Sequence, residues 1–182
     1  MTRIAFQGEP GAFSELAVRH WADDATEPMP CPTFDALVQA VLDGAADAGA
    51  LPVENRIVGP VTAALDALAA AGPRLRIVAH VDVPVRMALM AAPGTTLAMV
   101  RIVRSHPVAL AQCALHLAGM GVRAVAAHDT AGAARQLAES PAADVAVLAP
   151  APAAARYGLV VLADGVQDVA DNWTRFARIE RA

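Results

Sequence analysis

An α/β fold with mostly parallel strands is predicted by three features of this 182-residue chain. Short runs of β-branched and aliphatic residues alternate with stretches whose apolar residues recur at helical spacing. The 56% hydrophobic content is dominated by alanine, and only 4% of residues are aromatic. That composition suits alanine-rich helices packed on short Val/Ile/Leu strands. Finally, each polar motif falls where a strand gives way to a helix, the place where such folds bind ligands. The length fits one domain or two small lobes.

The elements follow in order. Ile4 to Phe6 is a short strand, and the turn Gly8-Glu-Pro-Gly11 opens a helix through Phe13, Leu16, Ala17 and Trp21. Thr33 is the expected N-cap of a second helix, in which Phe34, Leu37, Val38, Val41 and Leu42 form one apolar stripe that stops at Gly44. Ala48 to Val53 is the next strand, followed by a loop from Glu54 to Gly59. Val61, Leu65 and Leu68 define a helix that ends at Gly72-Pro73. From Leu75 to Ala91 the pattern turns β-rich, which places the first lobe boundary near residue 75. Beyond it come a strand at Ile102-Val103, one helix carrying Leu110, Cys113, Ala114 and Leu117, and a strand from Val122 to Ala126. A helix beginning at Asp129-Thr130, a strand from Asp144 to Leu148 and a short helix from Ala149 to Arg156 continue the alternation. Leu159 to Leu162 is a strand, Asp164-Gly165 a turn, and Thr174 to Ile179 a final strand.

Charge and composition exclude several function classes. With 14 basic against 18 acidic residues the net charge is −4, so no broad cationic surface exists for nucleic acid. All the cations are arginine, which removes lysine Schiff-base chemistry. The longest uncharged stretch, Ser105 to Val122, holds two histidines, a proline and a glutamine and is too polar for a membrane span. Cys31 and Cys113 make no disulfide framework, and the five histidines form no HxxH or HExxH cluster. The expectation is a soluble cytoplasmic protein with no structural metal.

Four junctions concentrate polar chemistry. The Gly8 to Glu15 turn offers backbone N–H groups suited to a carboxylate or phosphate, and equally fits a tight turn before a capped helix. Ser105-His106-Pro107 has the form of an N-cap followed by proline at the first helical position. Asp129-Thr130 before Ala131 is a capping pattern first and an anion site second. The tail from Gln167 to Phe176 gathers amide, hydroxyl and guanidinium groups in a segment that becomes a strand.

The order of these segments resembles the catalytic domain of the prephenate dehydratase family. The resemblance rests on Gly-Glu-Pro-Gly-Ala-Phe-Ser-Glu at 8–15, Pro-Val-Glu-Asn at 52–55 with Gly59, and Leu65-Asp66. Ser-His-Pro at 105–107, Ala-Leu-Ala-Gln-Cys at 109–113, Thr-Ala at 130–131 and Tyr-Gly-Leu at 157–159 extend it. Gln167-Asp168, Asn172 and Thr-Arg-Phe at 174–176 complete it over essentially the whole chain.

The resemblance implies a two-lobed fold like that of periplasmic binding proteins, with the active site in the cleft between lobes. Lobe one is expected at residues 1–75 plus 164–182, and lobe two at 76–163. It implies loss of the ring carboxylate as CO2 and of the ring hydroxyl as water, driven by aromatisation, with no cofactor. Thr174, Arg175 and Phe176 are the implied catalytic segment, with Thr174 donating to the leaving hydroxyl and Arg175 anchoring or ordering the site. Glu54, Asn55, Arg56, Ser105 and His106 are implied to bind substrate. So are Asp129, Thr130, Ala131, Gln167 and Asn172. The implied partners are a small dicarboxylate and a second copy of the chain.

The chain departs from the family pattern in places. Arg56 stands where serine is usual, Val58 where an acid is usual, Val108 where glutamine is usual, and Asp129 where serine is usual. The added cation Arg56 and the added anion Asp129 are expected to lie close enough across the cleft to influence each other, the alternatives being a site reshaped for a different ligand or neutral substitutions at the rim. The chain stops six residues after Phe176, where family members usually continue into a phenylalanine-binding ACT domain, so feedback through such a module is not expected. Arg56 and Asp129 leave open a decarboxylase that keeps the ring hydroxyl, against which the retained Thr174-Arg175-Phe176 argues. A non-catalytic binding protein is the third reading.

Overall fold

A computed structural model describes all residues 1–182. The chain divides into two compact α/β units, each built on its own sheet. The first holds Met1–Glu9, Phe13–Val85 and Asn172–Ala182, and the second holds Pro10–Ala12 and Arg86–Asp171. No helix is long and apolar enough to cross a membrane.

The first unit contains strands β1 (Thr2–Gln7), β2 (Thr26–Cys31), β3 (Ala48–Asn55), β4 (Gly59–Pro60) and β5 (Leu75–Pro84). It also receives the last strand, β11 (Trp173–Arg181). Their order is β2-β1-β3-β11-β5, with β4 paired to β3. Helices α1 (Phe13–Trp21), α2 (Phe34–Leu42) and α3 (Thr62–Ala71) cover it. On one side Ile4, Phe6, Ala48, Ala50, Val83 and Phe176 pack with Ala17 and Val18 of α1. On the other, Ala5, Leu51, Ala177 and Ile179 pack with Leu37, Val38 and Val41 of α2 and with α3. The alternation of β11 between these two clusters is the period of a strand buried on both faces.

Thr33 caps α2 as its sequence predicts, its side chain accepting from the Ala36 N–H at 3.1 Å. The Arg181 guanidinium donates to the Val41 carbonyl at 2.6 Å, satisfying the far end of the same helix. A Cβ at position 49 would lie 2.8 Å from Leu37 and 3.0 Å from Ile179, so a larger residue there would have to displace those core side chains. The apolar stripe expected for α3 is rotated, because its buried residues are Ala64, Ala67 and Ala71 while Leu65 is partly solvent-facing. Small side chains let α3 sit close to α2, and that choice is made by packing partners rather than by hydropathy.

The second unit contains β6 (Ala88–Ala91), β7 (Ile102–Ser105), β8 (Arg123–Ala126), β9 (Val145–Ala149) and β10 (Val160–Asp164), in the order β10-β6-β9-β7-β8. Strand β9 is buried at every position and is the centre of this core. Helices α4 (Pro107–Gln112), α5 (Ala114–Met120), α6 (Thr130–Glu139) and α7 (Pro152–Tyr157) complete it. The single helix expected over 110–117 is two, broken at Cys113, whose backbone leaves the helical region at φ −119° and ψ 18°. The Asp168 carboxylate accepts from the Leu115 and His116 N–H groups at 3.1 and 3.4 Å and so caps the new start.

The strand directions and the lobe boundaries also differ from expectation. The sheets are mixed rather than mostly parallel, because β11 runs antiparallel to both β3 and β5, and β6 antiparallel to both β9 and β10. The chain leaves the first unit after Val85, not near residue 75, because the whole of β5 pairs with β11. It returns at Asn172 rather than 164, because Gln167 and Asp168 are held by Met87 and Gln112 in the second unit. Strand β2 carries no strand signal in the sequence, because Pro28 and Pro30 suppress it. It lies at the sheet edge, where a missing N–H can face outward.

Candidate active site

Asn55 and Thr174 lie directly opposite each other on the antiparallel strands β3 and β11. The register slips between Arg175 and Phe176, so that Val53 is the extra residue of a bulge in β3. A bulge re-aims the residues beyond it. Here it turns Asn55 onto the face of Thr174 and Glu54 onto the face of Arg175.

On the Thr174 face, Asn55 is nearly buried and every polar atom of its amide is engaged. Its Oδ1 accepts from the Ile57 and Val58 N–H groups at 3.0 Å each, which fixes the turn after β3. Its Nδ2 donates to the Trp173 carbonyl and to Thr174 Oγ1, both at 3.0 Å. The two backbone N–H groups at Oδ1 fix which way the amide faces. An amide nitrogen can only donate, so Thr174 receives this hydrogen bond and keeps its own hydroxyl hydrogen available. Two residues before Thr174, the Asn172 side chain is 3% exposed, and neither its Nδ2 nor its Oδ1 has a partner in the chain.

On the Arg175 face, Nε and Nη2 donate to the Asp82 carboxylate at 2.7 and 2.9 Å, a bidentate pair across β11 and β5. Glu54 lies 3.7 Å from Nη1, and the guanidinium stacks over the Trp173 ring at 4.9 Å. The Arg175 hydrogen bonds hold the Asp82 carboxyl below its usual range, and Asp82 in turn raises the guanidinium. This face opens on a groove of about 300 Å³ lined by His80, Val81, Asp82 and Arg175. Phe176 returns to the interior at 2% exposure and packs in the core with Ile4, Phe6 and Val18.

In the second unit two of the sequence-nominated groups, His106 and Asp129, are held by local bonds, and two, Ser105 and Gln167, by remote ones. Ser105 is fully buried and its hydroxyl donates to the Leu148 carbonyl at 2.7 Å. His106 is the N-cap of α4, its Nδ1 accepting from the Val108 N–H at 3.2 Å. Asp129 caps α6 by accepting from the Gly132 N–H, with Thr130 as the first helical residue and Ala131 buried behind it. Gln167 Oε1 accepts from the Met87 N–H at 2.9 Å. Pro10–Ala12, the part of the Gly8 to Glu15 turn that belongs to this unit, packs on α7. The Tyr157 hydroxyl donates to the Pro10 carbonyl at 2.6 Å, and Gly11, at φ +92°, would bring a Cβ within 3.1 Å of Ala153. Arg56 follows β3 with its N–H donating to the Trp173 carbonyl at 3.0 Å.

The family model for prephenate dehydratase matches residues 4–182. This chain belongs to the prephenate dehydratase family. Arogenate dehydratase 1 of Petunia hybrida is 43% identical over 181 residues, covering 98% of this chain and 42% of the relative. A solved prephenate dehydratase from Arthrobacter aurescens, in complex with L-Phe, is 34% identical with a TM-score of 0.91. It is matched over 100% of this chain and 61% of its own. A solved chain described as GqqA, a novel type of quorum quenching acylase, is 39% identical with a TM-score of 0.89, over 99% of this chain and 64% of its own. The chain thus spans under half the length of the curated relatives it matches.

Two residues of this site escaped the sequence. Asp82 sits in a run read only as strand, and 93 positions separate it from Arg175. Trp173 carries no motif signal of its own within the tail, but its ring is the platform on which Arg175 lies.

Proposed function

We propose that the chain catalyses the decarboxylating dehydration of prephenate to phenylpyruvate. The observation that supports it is the hydrogen bond from Asn55 to Thr174, which leaves the threonine proton free to point away from the protein's own acceptors. When the ring carboxylate departs as CO2, its bonding electrons enter the ring and the C–O bond to the hydroxyl breaks. Negative charge then grows on the leaving oxygen. A hydroxyl is too weak an acid to protonate that oxygen outright, so Thr174 acts by a hydrogen bond that strengthens as charge develops, and the departing hydroxide takes the proton that completes water from solvent. Donation from Asn55 into Thr174 Oγ1 polarises the same hydroxyl and improves it as a donor. A ligand polar group reaching Asn172 would satisfy a buried amide that otherwise carries about 1–3 kcal/mol of desolvation.

Arogenate is the competing substrate, because a Petunia hybrida relative at 43% identity is named for it. The GqqA chain is described as an acylase, and acyl chemistry through a serine would use an accessible hydroxyl beside a base. Ser105 is instead buried and bonded to a backbone carbonyl, which supports the dehydratase reading. Self-association remains part of the proposal, supported by the free outer edge of β5 with Ile77 and Val78 exposed. Incubating purified protein with prephenate and with arogenate, and following the aromatic product of each, is the test. Phenylpyruvate from prephenate is expected. A decarboxylated but non-aromatic product, or no turnover of either compound, would refute the proposal.

A further inference from the structure

We propose that Asp82 is a positioning residue for this reaction, holding Arg175 on the face of β11 away from Thr174 and thereby fixing the strand that aims the Thr174 hydroxyl. This rests on the dehydratase reading above. The arginine beside a catalytic hydroxyl invites the role of substrate-carboxylate anchor, and the geometry argues otherwise. Successive residues of β11 point to opposite faces, and β11 pairs regularly with β5 from Trp173 to Arg178. Arg175 therefore points away from Thr174 and towards Asp82, the residue opposite it in register.

The guanidinium is also already satisfied in charge. Its Nε and Nη2 both engage Asp82, and Glu54 stands at 3.7 Å from Nη1, so two carboxylates surround one cation. A dianionic ligand would meet net repulsion there. What the cluster does is join three strands at one level, since Glu54 belongs to β3, Arg175 to β11 and Asp82 to β5. On the opposite face of that level, Asn55 reaches Thr174. A slip of β11 against β3 would break that bond, and small misplacements of a catalytic group lower rate steeply.

The test uses the full chain in a Trp21→Phe background, so that Trp173 is the one tryptophan and its emission reports the Arg175 stack. Asp82→Asn, Asp82→Glu and Arg175→Lys are compared for kcat, KM and Trp173 emission. Asp82→Asn is expected to lower kcat about tenfold or more with KM within about twofold, and to shift Trp173 emission. Asp82→Glu, which keeps the charge and the fork, is expected to restore most of both. Arg175→Lys, which keeps charge but loses the bidentate geometry, is expected to behave like Asp82→Asn. A raised KM at unchanged kcat would overturn the proposal, because Arg175 would then be holding substrate. Unchanged kcat and emission in Asp82→Asn would overturn it as well. If Asp82→Asn does not fold, the exchange Asp82→Arg with Arg175→Asp is measured instead, and recovery of kcat is expected. Failure of the exchange to recover kcat in a folded protein would overturn the proposal. Absence of wild-type turnover would refute the dehydratase reading alone, and the emission shift would still decide whether Asp82 holds Arg175 on Trp173.

Discussion

The two ends of the polar-residue map behave differently. In the first unit, Asn55 and Thr174 meet across 119 positions of sequence, and their bond exists because β3 and β11 are paired in one register. In the second unit, His106 and Asp129 find their partners two and three residues away, at Val108 and Gly132. A group whose partner is local is doing the work of a helix cap, which any competent Ser, Thr, Asp or Asn could do. A group whose partner is remote has been placed by the tertiary structure, and its environment is specific to that placement. The motif residues of the two units look alike on the page, yet it is the tertiary pairing of Asn55 with Thr174 that occupies the threonine oxygen and leaves its hydroxyl proton uncommitted.

The sharpest way to break this contrast is Thr174→Ala. Removing one donor to a developing anion costs about 10²–10³ in kcat with little change in KM. Thr174→Ser should keep most of the activity, since the hydroxyl and not the methyl is the working group. An alanine variant with wild-type kcat would show that the uncommitted proton has no part in the chemistry.

Next in size is Asn55. Asn55→Asp keeps an acceptor for the Ile57 and Val58 N–H groups but cannot donate to Thr174, so kcat should fall about tenfold or more while the fold persists. Asn55→Ala strips both functions and should also lower stability by about 1–3 kcal/mol in urea unfolding. Equal kinetic losses in the two variants, with no stability difference, would contradict the division of labour assigned to this amide.

A smaller effect is expected at the caps. Asp129→Ala should cost about 1 kcal/mol of stability, and Asp129→Ser much less, because serine can still accept from the Gly132 N–H. The expected influence of Arg56 on Asp129 is read by a double-mutant cycle on KM, where charges that share a partner couple by roughly 0.5–3 kcal/mol. Coupling indistinguishable from zero would leave Asp129 as a cap alone.

The last expectation concerns pH and is confined to the second unit. Burial, and then the nearby Asp168 charge, push the Cys113 thiol from 9.0 up to about 12. The folded protein therefore keeps a proton that the unfolded chain releases above pH 9. Its contribution is complete below that value and is lost as pH rises through about 12. Unfolding free energy should fall across this range, and Cys113→Ala should flatten the slope. An unchanged slope would place the alkaline sensitivity elsewhere.

Much of the fold was legible because it is local. The stripe from Phe34 to Leu42 with its Thr33 cap, the strands at Ile4 and Ala48, and the helix start at Asp129 follow from spacing and capping chemistry. Other elements were hidden by competing signals. Pro28 and Pro30 masked β2, whose edge position makes them tolerable. Continuous hydropathy across Leu110 to Leu117 masked the break at Cys113, which depends on Asp168 from 55 positions away. In the site, Thr174 and Asn55 were reachable through their motifs, but Asp82 was not, since nothing in Val-Asp-Val distinguishes a clamp from an ordinary solvent-facing strand residue.

By itself the sequence determined the α/β class, the capped helices and the set of motif residues, because capping and amphipathic packing depend on neighbours three or four residues apart. The tertiary structure decided which of those residues are committed and which are free. It gave β5 to the first unit, turned Arg175 to Asp82 and Thr174 to Asn55 on opposite faces of one strand, and buried Phe176 and Ser105. The physical reason is strand register. The side-chain period in a strand is two, so one residue of slip exchanges every inward group for an outward one, and that register is fixed only when distant strands meet.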